Sequence, residues 1–104
     1  MASKNRVTYH EENVHSNTLK LRQVLDTMPR FSKDYFRAIE PNTSAKTRIS
    51  YVYDIRLFFR FLIQTNPYFQ NKTIKDIQLQ DLEKLQAVDI EEYLEYLKLY
   101  EDED

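Results

Sequence analysis

The chain contains no glycine in its 104 residues, and this absence limits the folds open to it more than any other feature. An average chain of this length carries about seven glycines. Without them the chain lacks the Gly-rich loops that hold nucleotide phosphates, and it is poorly suited to hairpins built on Asn-Gly or Asp-Gly turns. The three prolines, Pro29, Pro41 and Pro67, stand where helices should break. These features predict an all-α fold.

Size and composition exclude several classes of function. The length fits one domain, and 41% hydrophobic residues suffice for a modest core. The absence of Cys excludes disulfides and thiolate metal sites, and His10 and His15 lie in a polar segment that favours a tail over a metal site. We find no signal peptide and no apolar run near the roughly 18 residues that span a membrane. We therefore expect a cytoplasmic protein with no cofactor, metal ion or membrane contact.

Charge is distributed unevenly along the chain. Residues 1–75 hold 13 Lys and Arg against 6 Asp and Glu, a net charge of +7. Residues 76–104 hold 2 against 11, a net charge of −9, so that the whole chain carries −2. A basic body with an acidic end can present a cationic face to phosphates. Charge alone does not distinguish this arrangement from two differently solvated surfaces.

The first half of the domain is predicted to contain two helices. Residues 1–15 are polar and lack periodicity, which indicates a flexible tail. Ser16 or Asn17 can cap a first helix, whose apolar residues share one face: Leu21, Val24, Leu25 and Met28. A second, short helix follows Ser32 and ends before Pro41; its inward residues are Tyr35, Phe36 and Ile39.

The third helix has the strongest pattern and is predicted to be central. It begins near Thr43 or Ser44 and runs to about Thr65. Its broad apolar face comprises Tyr51, Val52, Ile55, Phe58, Phe59, Leu62 and Ile63. Leu57 and Phe61 lie on the opposite, polar side, which predicts a neighbour on both sides of its second half. If that cover is missing, the exposed apolar surface favours self-association.

The remainder is predicted to be an ordered connection over residues 66–79, a short helix from Gln80 to Leu85, and a last helix. Asp89 and Glu92 have the spacing of an N-cap and its capping-box partner. The stripe expected to be buried comprises Ile90, Tyr93, Leu94, Leu97 and Tyr100. Residues 101–104, Glu-Asp-Glu-Asp, read as a solvated acidic end.

No catalytic arrangement is evident. Paired carboxylates such as Glu91 and Glu92 fall on predicted solvent faces, whereas acid–base catalysis needs a pair held in a cleft. A tyrosine nucleophile needs cations around a phosphate, and these tyrosines sit mostly at core spacing. The start of the third helix instead combines hydroxyl groups and cations, a pattern suited to DNA phosphates and base edges. The alternative is an ordinary capped helix with solvated cations.

The run from Asn42 to Leu62 resembles the second helix of the core-binding domain of tyrosine recombinases, the phage-integrase family. The matching residues are Thr47, Tyr51, Asp54, Ile55, Phe59 and Leu62. The runs Ile74–Ile77 and Asp89–Leu97 resemble the family's next element. The similarity covers roughly residues 19–100.

The resemblance implies a SAM-like bundle of four or five short helices, at residues 16–100, that binds double-stranded DNA during integration and recombination. Carried over by position, the DNA-binding residues are Lys46, Thr47, Arg48, Ser50, Tyr53, Arg56 and Arg60. The family's catalytic residues belong to a C-terminal domain that nothing here matches, and its last core-binding helix is also lacking. We therefore expect a non-enzymatic part of a longer recombinase that meets further protomers. The alternative is a helical protein-interaction module whose acidic last helix binds a partner.

Overall fold

The computed structural model describes the backbone of residues 9–103 and the side chains of residues 12–99. Helices account for nearly all regular structure in this part of the chain, so the predicted small all-α bundle is confirmed. The α-helices are α1 (Tyr9–Leu25), α2 (Arg30–Ile39), α3 (Ala45–Thr65) and α4 (Ala87–Glu103). Short 3-10 helices span Glu40–Asn42, Ile74–Asp76 and Leu79–Lys84. None of the described helices is both long and apolar enough to cross a membrane.

Helix α1 begins at Tyr9, earlier than the predicted start at Ser16 or Asn17. Residues 9–15 of the predicted tail are therefore helical, while residues 1–8 lie outside the described part. The first turns of α1 have no apolar face, so the sequence pattern does not predict them. Residues 12–16 are all exposed. Once the later turns are packed, each added residue costs little and gains a backbone hydrogen bond, which extends the helix.

The core lies between α1, α2 and α3. Val52 of α3 is fully buried (0% exposed), and its buried neighbours come from every part of the fold before α4: Leu21, Val24, Leu25, Met28, Phe36, Phe59, Leu62, Phe69 and Ile77. Phe69 and Ile77 come from the connection after α3, and their burial in the core agrees with the prediction that this connection is ordered. Tyr35 and Tyr51 depart from their predicted inward positions and are exposed, because no element covers their sides of α2 and α3.

The ends of α3 follow the sequence prediction. Ser44 is the N-cap, and its Oγ accepts a hydrogen bond from the Thr47 backbone N–H at 3.0 Å. The helix stops at Thr65, two residues before Pro67. Capping by a serine satisfies an N–H group that has no partner within the helix.

A recurrent local motif orders the connection between α3 and α4. An aspartate accepts a hydrogen bond from a residue three positions earlier: Asp76 from the Thr73 hydroxyl (2.7 Å), and Asp81 from the Gln78 N–H (2.7 Å). Asp89 accepts in the same way from the Gln86 N–H (2.8 Å). Asp89 is therefore the third residue of α4 and not its N-cap, so the predicted start was three residues late.

Helix α4 packs on α3 through aromatic rings. Tyr93 lies 4.7 Å from Phe58 and 5.2 Å from Phe61, and Tyr96 lies 4.9 Å from Phe61, between ring centroids. Phe61 is thereby buried, as the prediction of a covered second half required, and Leu57 is half-buried. Of the predicted stripe, Tyr93 and Leu97 are half-buried, Ile90 and Leu94 are exposed, and the side chain of Tyr100 lies outside the described part. The helix continues to Glu103, into the segment predicted to be a solvated end.

Candidate nucleic-acid interface

One face of α3 remains open after the bundle has formed. Lys46, Ser50, Tyr53 and Arg60 are all exposed, and their spacing of four, three and seven residues places them on the same side of the helix. The core of α1 and α2 covers the opposite side, and α4 covers the flank that carries Phe58 and Phe61. We call these four residues, together with Arg56 beside them, the open face.

The cations of the open face lie apart from the acidic residue of their helix. Asp54 is the one acidic residue of α3, and it lies toward α4. Its charge contributes to the raised pKa of Tyr93, which comes first from burial and then from Asp54 and Tyr96. Lys46, Arg56 and Arg60 therefore have no acidic residue of their own helix beside them. Such a surface attracts phosphate.

Tyr53 and Arg56 support each other on this face. The Arg56 guanidinium lies 5.2 Å from the centre of the Tyr53 ring, within the range of a cation–π interaction. Arg56 is half-buried, whereas Tyr53 is 44% exposed. The ring is thus held in place by its neighbour and retains an accessible surface for a ligand.

Arg48, predicted to contact DNA, is instead buried, with 7% of its surface exposed. Its Nη1 donates hydrogen bonds to the backbone oxygens of Glu40 (3.1 Å) and Thr43 (2.5 Å) and to the Thr43 hydroxyl (3.1 Å). It points away from Lys46 because two residues turn an α-helix by about 200°. Arg48 therefore holds the turn before α3 and is not part of the open face.

Thr47 also has an internal role. Its N–H is occupied by Ser44, and the Ser44 hydroxyl donates to the Thr47 hydroxyl at 2.9 Å. Thr47 is half-buried, and it belongs to the cap of α3. Of the seven residues predicted as DNA-binding, the structure brings five together on the open face and assigns Thr47 and Arg48 to the start of the helix.

Sequence reasoning missed a basic groove between α1, α2 and the start of α3. It has a volume of about 420 Å³ and is lined by four cations and two carboxylates: Arg22, Lys33, Arg37, Arg48, Asp26 and Glu40. Thr18, Leu21, Leu25 and Phe36 complete the lining. Arg22 and Asp26 are four residues apart at the end of α1, and Lys33 and Arg37 are four residues apart on α2, so each pair can be recognised from the sequence. Only the packing of α1 against α2 brings the two pairs together.

Asp81 is the most strongly connected acidic side chain in the described part. It is buried and accepts hydrogen bonds from the Tyr68 hydroxyl (2.8 Å) and the Gln78 N–H, and Lys72 lies 3.5 Å away. The Gln78 N–H, then the Tyr68 hydroxyl and the Lys72 charge, hold the pKa of Asp81 below its usual value. The hydrogen bond to Asp81 in turn raises the pKa of Tyr68. Tyr68, Lys72 and Gln78 all belong to the connection between α3 and α4. Their contacts with Asp81 therefore hold this connection in place.

Within the described residues, no three His, Asp or Glu side chains are placed to hold a metal ion. Comparison with family models, with curated proteins and with solved structures found no match to this chain.

Proposed function

We propose that this chain is a DNA-binding module, the N-terminal core-binding domain of a site-specific tyrosine recombinase that acts in DNA integration and recombination. The observation that carries the proposal is the open face: five of the residues assigned by resemblance lie together on one side of α3, four of them exposed and Arg56 half-buried. In this proposal the module positions DNA, and the strand chemistry belongs to another domain of the recombinase.

The length of the open face is suited to contact with a groove of DNA. Lys46 and Arg60 are fourteen residues apart, which corresponds to about 21 Å along the helix. The major groove of B-DNA admits a single α-helix. With α3 in the groove, Lys46 and Arg60 reach phosphates near the two ends of the contact, and Ser50 and Tyr53 between them meet base edges. Arg56 keeps the Tyr53 ring oriented toward the bases.

The acidic α4 limits the affinity. It carries Glu91, Glu92 and Glu95 on exposed positions, and a nearby phosphate backbone is repelled by them. With a net charge of −2 on the whole chain, we expect micromolar or weaker binding, in the range of non-specific contacts at physiological salt. The second domain of a recombinase supplies the remaining contacts in this proposal.

Fluorescence anisotropy with labelled duplex DNA at several salt concentrations tests the proposal. The double variant Lys46→Ala/Arg60→Ala should bind all sequences more weakly. The slope of log K against log salt should flatten by about 0.9 for each lost phosphate contact, or about 1.8 in total. Tyr53→Phe and Ser50→Ala should instead change the preference among sequences.

The matched control is Lys75→Ala/Lys84→Ala, which removes two exposed cations outside the open face. This variant should retain the affinity and most of the slope of the wild type. If both double variants lose affinity equally, binding is a diffuse charge effect and the open face is not the docking surface. If a folded Lys46→Ala/Arg60→Ala variant binds as the wild type does, the proposal fails.

A further inference from the structure

The guanidinium of Arg48 is only partly used by the protein. Among the described residues, each of its hydrogen bonds is made by Nη1, to Glu40 and Thr43. The two N–H groups of Nη2 and the one of Nε have no protein acceptor there, although Arg48 is more than nine-tenths buried. Since no fully buried side-chain nitrogen or oxygen of the described residues lacks a partner, Nη2 and Nε retain some exposed surface, and Arg48 lines the basic groove. A planar pair of such donors matches a carboxylate or phosphate group.

The rest of the groove selects between those two anions. Lys33 is paired with Asp26 at 3.1 Å, whereas Arg22 and Arg37 form no ion pair within the described residues. Asp26 and Glu40 repel any anion, but they repel a run of phosphates more strongly than a single carboxylate, and the apolar side chains of Leu21, Leu25 and Phe36 can pack only against a ligand that has apolar groups. A carboxylate carried among apolar side chains suits all of these features. The groove is therefore built for an acidic, amphipathic peptide.

Helix α4 of the same chain has that chemistry on its outer surface. Glu91 and Glu95 are exposed and form no ion pair within the described residues. Leu94, 58% exposed, lies between them and has no covering element. Because Tyr93 and Tyr96 occupy the side that packs on α3, this acidic and apolar surface is available to a partner.

We propose that the acidic surface of α4 from one copy of the chain docks into the basic groove of a second copy, where a glutamate carboxylate receives the free N–H groups of Arg48. Arg22 and Arg37 balance the remaining charge, and Leu94 packs toward the apolar wall. The contact is heterologous, joining two different surfaces, so it adds copies head to tail and does not close as a two-fold dimer. It uses the side of α3 opposite the open face and is independent of DNA binding.

Sedimentation velocity of charge-reversed variants tests this contact. At about 0.1 M salt the wild type should sediment faster as its concentration rises into the millimolar range, and 1 M salt should abolish this because charges are then screened within about 3 Å. The groove variant Arg22→Glu/Arg37→Glu and the helix variant Glu91→Lys/Glu95→Lys should each stay monomeric. Mixed in equal amounts they should form a dimer and nothing larger, because one intact groove meets one intact helix.

The matched control is Lys75→Glu/Lys84→Glu, which makes the same charge change as the groove variant but outside the groove, and it should associate like the wild type. Circular dichroism verifies that every variant is folded. A wild type that remains monomeric at millimolar concentration, or a mixture that forms no dimer, overturns the proposal. Loss of DNA affinity in the groove variant, with no effect on association, would also overturn it and would assign the groove to phosphate.

Discussion

Replacement of Arg48 by Met separates the structural role of this residue from the DNA contact expected from the sequence. Met keeps an unbranched apolar side chain in the buried site and removes the charge and the donors. In the wild type, Nη1 supplies two N–H groups to three acceptors, Glu40 O, Thr43 O and Thr43 Oγ1. Glu40 O retains a bond from the Thr43 N–H at 3.4 Å, whereas Thr43 O loses the shortest of these contacts.

The expected loss of stability follows from these bonds. A hydrogen bond from a charged donor contributes about 1.5–3 kcal/mol net. Because the two N–H groups share three acceptors, and Met recovers some apolar burial, we expect the free energy of unfolding to fall by about 3 kcal/mol. That is a large part of the roughly 5–15 kcal/mol typical of a small domain.

Urea unfolding followed by circular dichroism at 222 nm measures this change. With an m-value of about 1.5 kcal/mol per molar, the midpoint should fall by about 2 M. Lys46→Met is the control on the same helix; because Lys46 is exposed, its effect should stay within about 0.5 kcal/mol. If Arg48→Met is as stable as the control but loses DNA affinity, the structural role is refuted and the guanidinium acts on DNA.

Two further changes test the packing of α4 and of the connection. Phe61→Ala removes the ring that contacts Tyr93 and Tyr96. The free energy of unfolding should fall by about 3 kcal/mol, the low end for a buried aromatic, because both tyrosines are partly exposed. An unchanged urea midpoint would refute this packing. Asp81→Asn should lower the urea midpoint at pH 7. Because folding lowers the pKa of Asp81, its contribution is present above the unfolded value of about 3.9 and is lost as pH falls through the folded value. The gap between the variant and the wild type should therefore close below about pH 4, and a gap that is constant with pH would refute the role of the charge.

The fold class and the central helix were predictable because they depend on local chemistry. The lack of glycine disfavours hairpins, and Ser44 and Pro67 mark the ends of α3 by capping and by blocking backbone hydrogen bonds. Helical spacing alone is also sufficient to place Lys46, Ser50 and Tyr53 on one face. These features involve residues within a few turns of one another, so a linear pattern contains them.

Contacts between distant segments could be known only from the tertiary structure. Helical spacing places Arg48 and Lys46 on different sides of α3, but only the fold brings the turn at Glu40–Asn42 against Arg48 and leaves Lys46 in solvent. In the sequence, Phe61 is an apolar residue on the polar side of α3, and only the structure shows that α4 covers it. The basic groove likewise exists only where α1 meets α2. Periodicity specifies which residues share a face of a helix, whereas the side chains of a distant segment decide whether that face is buried, paired or left open.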